Sequence, residues 1–234
     1  MTIVRAIESP GPDLESVYRR LLEPSFPPEE MGTLEELAAG VGTGSASVLV
    51  HVARGEPDAV AVGWRFAPVP VVLLSYLAVA PGARGTGVGG ALLREAVTAW
   101  TRTPCLVLAE VEHPSSEHVS EAWGDPRRRL AFYTRHGARV LDLPYLQPEV
   151  HAGAGRADGM LLLALHVDPT LLTPTGRVRS KAVEAFLRAY FARAEGAPPS
   201  DPPALILLER ASDPSGVPLL DPAGDPGSLP RSSA

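Results

Sequence analysis

Hydrophobic positions recur at two spacings along this chain, and each switch between them marks an element. Thr2 to Ile7 read as a short strand. Leu14, Val17, Leu21 and Leu22 then fall at helical spacing in "DLESVYRRLLEPSFPP", a stripe that the prolines end. "TLEELAAGV" opens with Thr33 and Glu36 in a Thr-x-x-Glu capping box and predicts a second short helix that stops near Gly40. Three runs of strand length follow, "ASVLVHVAR", "DAVAVGWRFA" and "VVLLSYLAVA". The turn sequences "GEPD" and "PVP" between them suit an antiparallel meander. A glycine-rich turn then leads into a helix over Val88 to Trp100, with Ala91, Leu92, Ala96 and Ala99 available to pack.

Past this helix, "CLVLAEV" is an apolar run of strand length, while "EHPSSEHVSEAWGDP" is polar, lacks a period and predicts a loop. "PRRRLAFYTRHGARV" has Pro126 at a first helical position and Gly137 as its stop. "ARVLDL" and "GMLLLALHV" predict two more strands. Val183, Phe186, Leu187, Tyr190 and Phe191 stand at helical spacing in a late amphipathic helix, and their stripe is a candidate homodimer interface. Beyond Gly196 the chain is rich in Pro, Gly, Asp and Ser. There "ALILLER" offers one further strand, and the remainder predicts a partly disordered tail that the core can lose. The pattern divides the chain into a mixed α/β domain over residues 1–168, a helical extension over 169–196 and a tail over 197–234.

Composition narrows the class of partner. With 234 residues, 45% of them apolar and 21% charged, the chain can bury a sizeable core. A net charge of −6 lacks the basic excess that a nucleic-acid backbone demands, and leans toward cationic partners such as amines. No apolar run approaches a membrane span and "MTIVRAIESPGPD" has no signal-like core, so no membrane partner and a cytoplasmic location are expected. Cys105 is the single cysteine, which excludes an internal disulfide framework and a Cys-rich zinc site. It opens an apolar strand and reads as a small buried hydrophobe. His113, Glu117 and His118 are followed by no further well-spaced ligand and read as solvent-exposed loop residues, so no metal is expected.

Candidate chemistry gathers in "VAPGARGTGVGGALL", where two phosphate-binding patterns overlap. Gly85-Thr86-Gly87-Val88-Gly89-Gly90 spells GxGxxG, and Arg84-x-x-Gly87-x-Gly89 spells RxxGxG. In either pattern the glycines allow positive φ and close backbone approach, and the following helix turns its N-terminal amides and dipole toward an anion. A dinucleotide site wants GxGxxG directly after a buried parallel strand, with an acidic residue about 20 positions on. Glu110 sits near that position. Against this reading, Ala80 to Arg84 separate the strand from the first glycine, and a meander stands where a βαβ array is wanted.

The wider frame favours the other pattern. Val79-x-Pro81-x-x-Arg84-Gly85-x-Gly87-x-Gly89, an apolar helix, a strand and then Phe132-Tyr133-x-x-x-Gly137-Ala138 resemble the GNAT superfamily of acetyl-CoA-dependent N-acetyltransferases, from about Ala46 to Val140. The resemblance implies an α/β fold with a mostly antiparallel central sheet, helices on both faces and a splayed strand pair. In that pair the strand ending at Leu77-Ala78-Val79 parts from "CLVLAEV". It implies acetyl-CoA as acyl donor, with the pyrophosphate gripped along Arg84, Gly85, Gly87, Val88, Gly89 and Gly90 and the pantetheine arm lying along Leu77 and Val79. The implied activity is acetyl transfer to a primary amine of a small molecule or peptide by direct attack. A non-catalytic coenzyme A-binding regulatory module and a dinucleotide-binding protein are the alternatives.

Acetyl transfer needs a base for the ammonium and a proton for the departing thiolate. Tyr133 falls on the tyrosine of the family's FYxxxG helix, which implies a general acid; anchoring the helix to the sheet is its other reading. Glu110 matches a carboxylate that some members carry on this strand, which implies a base. Glu112 shares a sheet face with Glu110 and Leu108, so the two carboxylates together would attract an ammonium; ending the strand in solvent is the alternative. Tyr145 and Gln147 alternate on "LPYLQPEV", where the resemblance implies acceptor contacts together with Glu112; a sheet-edge loop is the other reading. Trp123 is a candidate cap over the acceptor, or else a cover for a local core patch. Where many members carry N-x-x-A-x-x-F-Y, this chain has Pro126 and Arg129.

Overall fold

The structure, a computed structural model, describes residues 2–27, 30–115, 125–150, 153, 155–224 and 226–232. The chain runs β1 (Thr2–Ile7), α1 (Pro12–Val17), α2 (Leu34–Thr43), β2 (Ala46–Ala53), β3 (Glu56–Arg65), β4 (Val71–Val79), α3 (Val88–Trp100), β5 (Leu106–Glu112), α4 (Pro126–Arg135), β6 (Arg139–Leu141), β7 (Met160–Val167), α5 (Ser180–Glu195), α6 (Pro202–Ala211) and β8 (Leu219–Leu220). Glu117, His118 and Trp123 lie outside the described residues.

Local chemistry sets several element ends. Thr33 and Glu36 form the expected reciprocal capping box at the start of α2. The helix then passes Gly40 and ends at Thr43, before Gly44 in the left-handed region at φ 74. Gly40 serves packing instead: a Cβ there would stand 2.4 Å from the Trp64 ring. Asp125 caps α4 through the Arg127 amide, with Pro126 in the first turn where its missing N–H costs nothing.

The strands form one sheet in the order β1-β2-β3-β4-β5-β7-β6-β8. Every neighbouring pair is antiparallel except β4 with β5. Period-two alternation sends Ala61, Leu74, Val107 and Leu163 to the face covered by α3 and α4, against Leu92, Ala96, Trp100 and Leu130. The opposite face carries α1 and α2 over Val48, Val50, Val60 and Val62. There α5 and α6 continue the layer over Leu73, Leu106, Leu108 and Leu162.

The C-terminal quarter differs from its expectation in two ways. "ALILLER" is helical: Ala204, Leu207, Leu208 and Ala211 are buried on α6, which Asp201 caps through the Ala204 amide. Its apolar spacing of three, four and seven is helical, and the prolines beside it mark a helix start. The α5 stripe of Val183, Phe186, Leu187, Tyr190 and Phe191 is buried inside this chain, against the sheet and α6, and so is not a face left for a second copy. Beyond α6, β8 pairs with β6, and Val217 and Leu229 are buried. Among the described residues no helix is long and apolar enough to cross a membrane.

Candidate active site

The site begins with a register event. On β3, Val62 faces Tyr76 and Gly63 faces Leu74, so Ser75 is an extra residue on β4. Such a bulge bends its strand and reverses the alternation beyond it. Val72 and Leu74 therefore share the α3 face with Leu77 and Val79, whereas Val71 and Leu73 share the other face with Tyr76 and Ala78. The parallel ladder to β5 stops at the same place: Val71 to Leu74 pair with Leu106 to Ala109, and no pairing follows. The two strands splay from there, leaving a backbone edge of β4 open along Ser75 to Val79.

At the end of that edge sits the glycine turn. Gly85 and Gly87 have φ 79 and φ 88, conformations that L side chains strain to adopt, and among the described residues a Cβ on either would meet no atom within 4 Å. The start of α3 carries no side-chain cap, so the amides of Val88, Gly89 and Gly90 stand in its first turn, where a helix has no internal acceptor to offer. Gly89 faces Val79 closely, its absent Cβ 3.1 Å from Cγ2 of that residue. Gly90 has a packing reason as well: a Cβ there would stand 2.2 Å from His136 Nε2, so its bareness lets the end of α4 approach α3. Arg84 folds back, its Nε donating to the Val79 carbonyl at 3.1 Å. The turn thus offers open backbone amides and a helix dipole to an anion, beside a strand edge that can take an extended arm.

A cleft of about 1140 Å³ runs through the splay. Leu77, Val79, Arg84 and Gly89 line it at the glycine end. Tyr133 and Glu110 also line it, although they come from opposite faces of the sheet. Tyr133 is 8% exposed, and burial pushes its phenol up to about 12, against the pull of the Arg129 guanidinium. It therefore holds its proton throughout the neutral range. The same cleft takes in Glu112, whose carboxylate accepts from Arg129 at 3.0 Å.

Glu110 lies in a cage of donors. Tyr145 donates to Oε1, and Gln147 Nε2 and Tyr190 donate to Oε2 at 3.0 and 3.1 Å. Burial raises its pKa above the usual carboxylate range and outweighs the three hydrogen bonds that lower it. Tyr145 and Gln147, expected among the acceptor contacts, both orient this carboxylate; Gln147 is held in place by a bridge to Ala157, and Tyr145 is wholly buried. Tyr190 reaches Glu110 from α5, a role that its place in an apolar stripe concealed. Its hydroxyl was the available signal, since a buried phenol needs a partner. Tyr76 was missed too: it accepts from the Gly32 amide at 2.9 Å and ties the segment before α2 to the rim.

The far wall contains His113, whose Nδ1 accepts from Ser115, and which burial keeps below its ordinary pKa and hence neutral. Arg231 donates to Ser115 at 3.1 Å and Ser232 accepts from the Gly159 amide at 3.1 Å, so the C-terminal segment lines the cleft as well. Among the described residues no group of His, Cys, Asp and Glu is placed to hold a metal.

Neither a protein-family model nor a curated protein matches the sequence. Solved structures do resemble the fold. An acetyltransferase of the GNAT family from Bacteroides thetaiotaomicron aligns with a TM-score of 0.54 at 25% identity, over 70% of this chain and 87% of its own. A GNAT-family acetyltransferase from Desulfovibrio desulfuricans aligns with a TM-score of 0.51 at 23% identity, over 71% of this chain and its full length. With a parallel pair splayed beyond a bulge, and with the glycine turn at the mouth of that splay, the chain shares the fold of these GNAT-family acetyltransferases.

Proposed function

We propose that this chain transfers an acetyl group from acetyl-CoA to a primary amine of a small molecule or peptide by direct attack. The observation that carries the reading is the position of Glu110 and Tyr133 along one cleft, on either side of a splay that begins at the Ser75 bulge and runs to the glycine turn. When bound, acetyl-CoA supplies an activated thioester carbonyl. The amides of Gly87, Val88, Gly89 and Gly90 and the dipole of α3 hold its pyrophosphate, and the open edge of Leu77 to Val79 takes the pantetheine arm. Arg84, Gly85 and the positive φ of the turn keep the backbone close to that anion.

On the acceptor side, Glu110 draws in an ammonium and takes its proton. Its raised pKa brings it nearer to the working range than an exposed carboxylate, and Tyr145, Gln147 and Tyr190 fix the direction of its lone pairs. Glu112 adds negative charge at the same mouth. Tyr133, protonated at neutral pH, donates to the sulfur as negative charge develops there. The amine nitrogen would bond to the acetyl carbon as the carbon–sulfur bond breaks; the thiol would leave with the Tyr133 proton, the second amine proton, shed as the amide forms, would restore the phenol, and Glu110 would release the first to solvent. Calorimetric titration with acetyl-CoA, followed by thiol release across a panel of primary amines, tests the reading. Tight acetyl-CoA binding with amine-dependent thiol release is expected; binding without thiol release from any amine would leave a coenzyme A-binding module.

A further inference from the structure

The cleft has a side branch of about 650 Å³ between α2 and α5. Glu110, Gln147 and Tyr76 line both spaces, so the branch opens from the acceptor side of the proposed base. At its other end stands Arg193 of α5. The guanidinium lies 4.0 Å from the centre of the Trp64 ring and 5.7 Å from that of Phe66. Stacking fixes the plane of an arginine and leaves its N–H edge available for a planar, two-oxygen partner. Among the described residues, nothing hydrogen-bonds or ion-pairs with that edge. Glu36 attracts it through space but is committed by one oxygen to the Thr33 amide at 2.9 Å.

The branch therefore presents opposite charges at its two ends: the Glu110 carboxylate at the splay and an arginine in search of an anion at the rim. A diamine would set its second ammonium against Arg193, and a plain alkylamine would leave the guanidinium unanswered. We propose that Arg193 binds a carboxylate on the acceptor, so that the substrate class is amines bearing a carboxylate, such as amino acids and short peptides. The assignment rests on the acetyl-transfer reading and names its acceptor. The amine lies at Glu110 and becomes the amide; the carboxylate stays at Arg193 and takes no part in bond changes.

The test is thiol release from acetyl-CoA with amino acids of increasing amine-to-carboxylate separation, short peptides, and the alkylamines and diamines of matching length. At least one carboxylate-bearing acceptor should exceed its matched alkylamine by about 10-fold or more in kcat/KM. Arg193→Gln should raise the KM of that acceptor by about 10- to 100-fold, hold its kcat within about 3-fold and leave the alkylamine unchanged. Arg193→Lys, which keeps the charge and loses the fork, should fall between. A merely structural arginine would lower all acceptors together. Preference for diamines, or a carboxylate preference that survives Arg193→Gln, overturns the assignment while acetyl transfer stands. Absence of thiol release from every amine, with acetyl-CoA still bound, overturns both.

Discussion

Burial and hydrogen bonding pull the Glu110 carboxyl in opposite directions, and burial prevails. Its folded-state pKa is raised, so the folded chain holds this proton more tightly than the unfolded one. The stability this lends is full below the unfolded pKa and is lost as the pH rises through the folded value. Glu110→Gln should therefore gain stability relative to the parent between about pH 4 and neutrality, measured by urea unfolding at both ends of that window. Its activity should fall most at neutral pH and recover partly toward the pKa of the amine, where free amine exists unaided. A loss of equal fraction at every pH would move the base elsewhere. Tyr133→Phe should lower turnover by about 10- to 1000-fold with little change in acetyl-CoA affinity, because the hydroxyl matters only as charge develops on sulfur. Full turnover in that variant would leave Tyr133 as the packing residue its burial also allows.

The glycine turn and the helices around it separate binding from packing. A Cβ at Gly87 meets no atom of the described residues, so Gly87→Glu should cost the fold only backbone strain and lower acetyl-CoA affinity by about 100-fold or more, through charge repulsion and displaced amides. Gly90→Ala should do the reverse, displacing the His136 ring and lowering Tm by a few degrees, roughly, at nearly unchanged acetyl-CoA affinity. Calorimetry and thermal melts on the two variants check the contrast. Elements of this kind were legible in sequence where the signal is local: the Thr33–Glu36 box, Pro126 ahead of α4 and the glycines ahead of α3. The Ser75 bulge was not, because it is a register shift between β3 and β4 and neither strand encodes it alone. In sequence Tyr190 stands as part of a stripe for the same reason, since its partner Glu110 lies on another element.

At the scale of the molecule, the polar composition after Gly196 hid a structural segment. Prolines and aspartates around α6 read as disorder, yet Asp201 and Pro202 start a helix and Leu207 and Leu208 finish the core under α5. Arg156 adds a clamp there, bonding Glu195 through Nε at 2.7 Å and also pairing with Asp201. Truncation after Pro199 should therefore cost solubility or cooperative unfolding. Leu207→Ala alone should destabilise by about 2–5 kcal/mol, measured by denaturant unfolding. A soluble truncated chain with an unchanged melt would return the tail to the dispensable class that its composition suggested.

The reach of Tyr190 to Glu110 spans 80 positions of sequence. Chains emerge from the ribosome at roughly 5–20 residues per second, so the carboxylate is made several seconds before one of the phenols that orient it. The sheet from β1 to β5 can pair during that interval, whereas the donor cage closes only when α5 has docked. On the acetyl-transfer reading, competence to turn over substrate would be withheld until the final helices are in place, and a nascent chain stalled before them would carry the splayed strands without the full set of donors around Glu110.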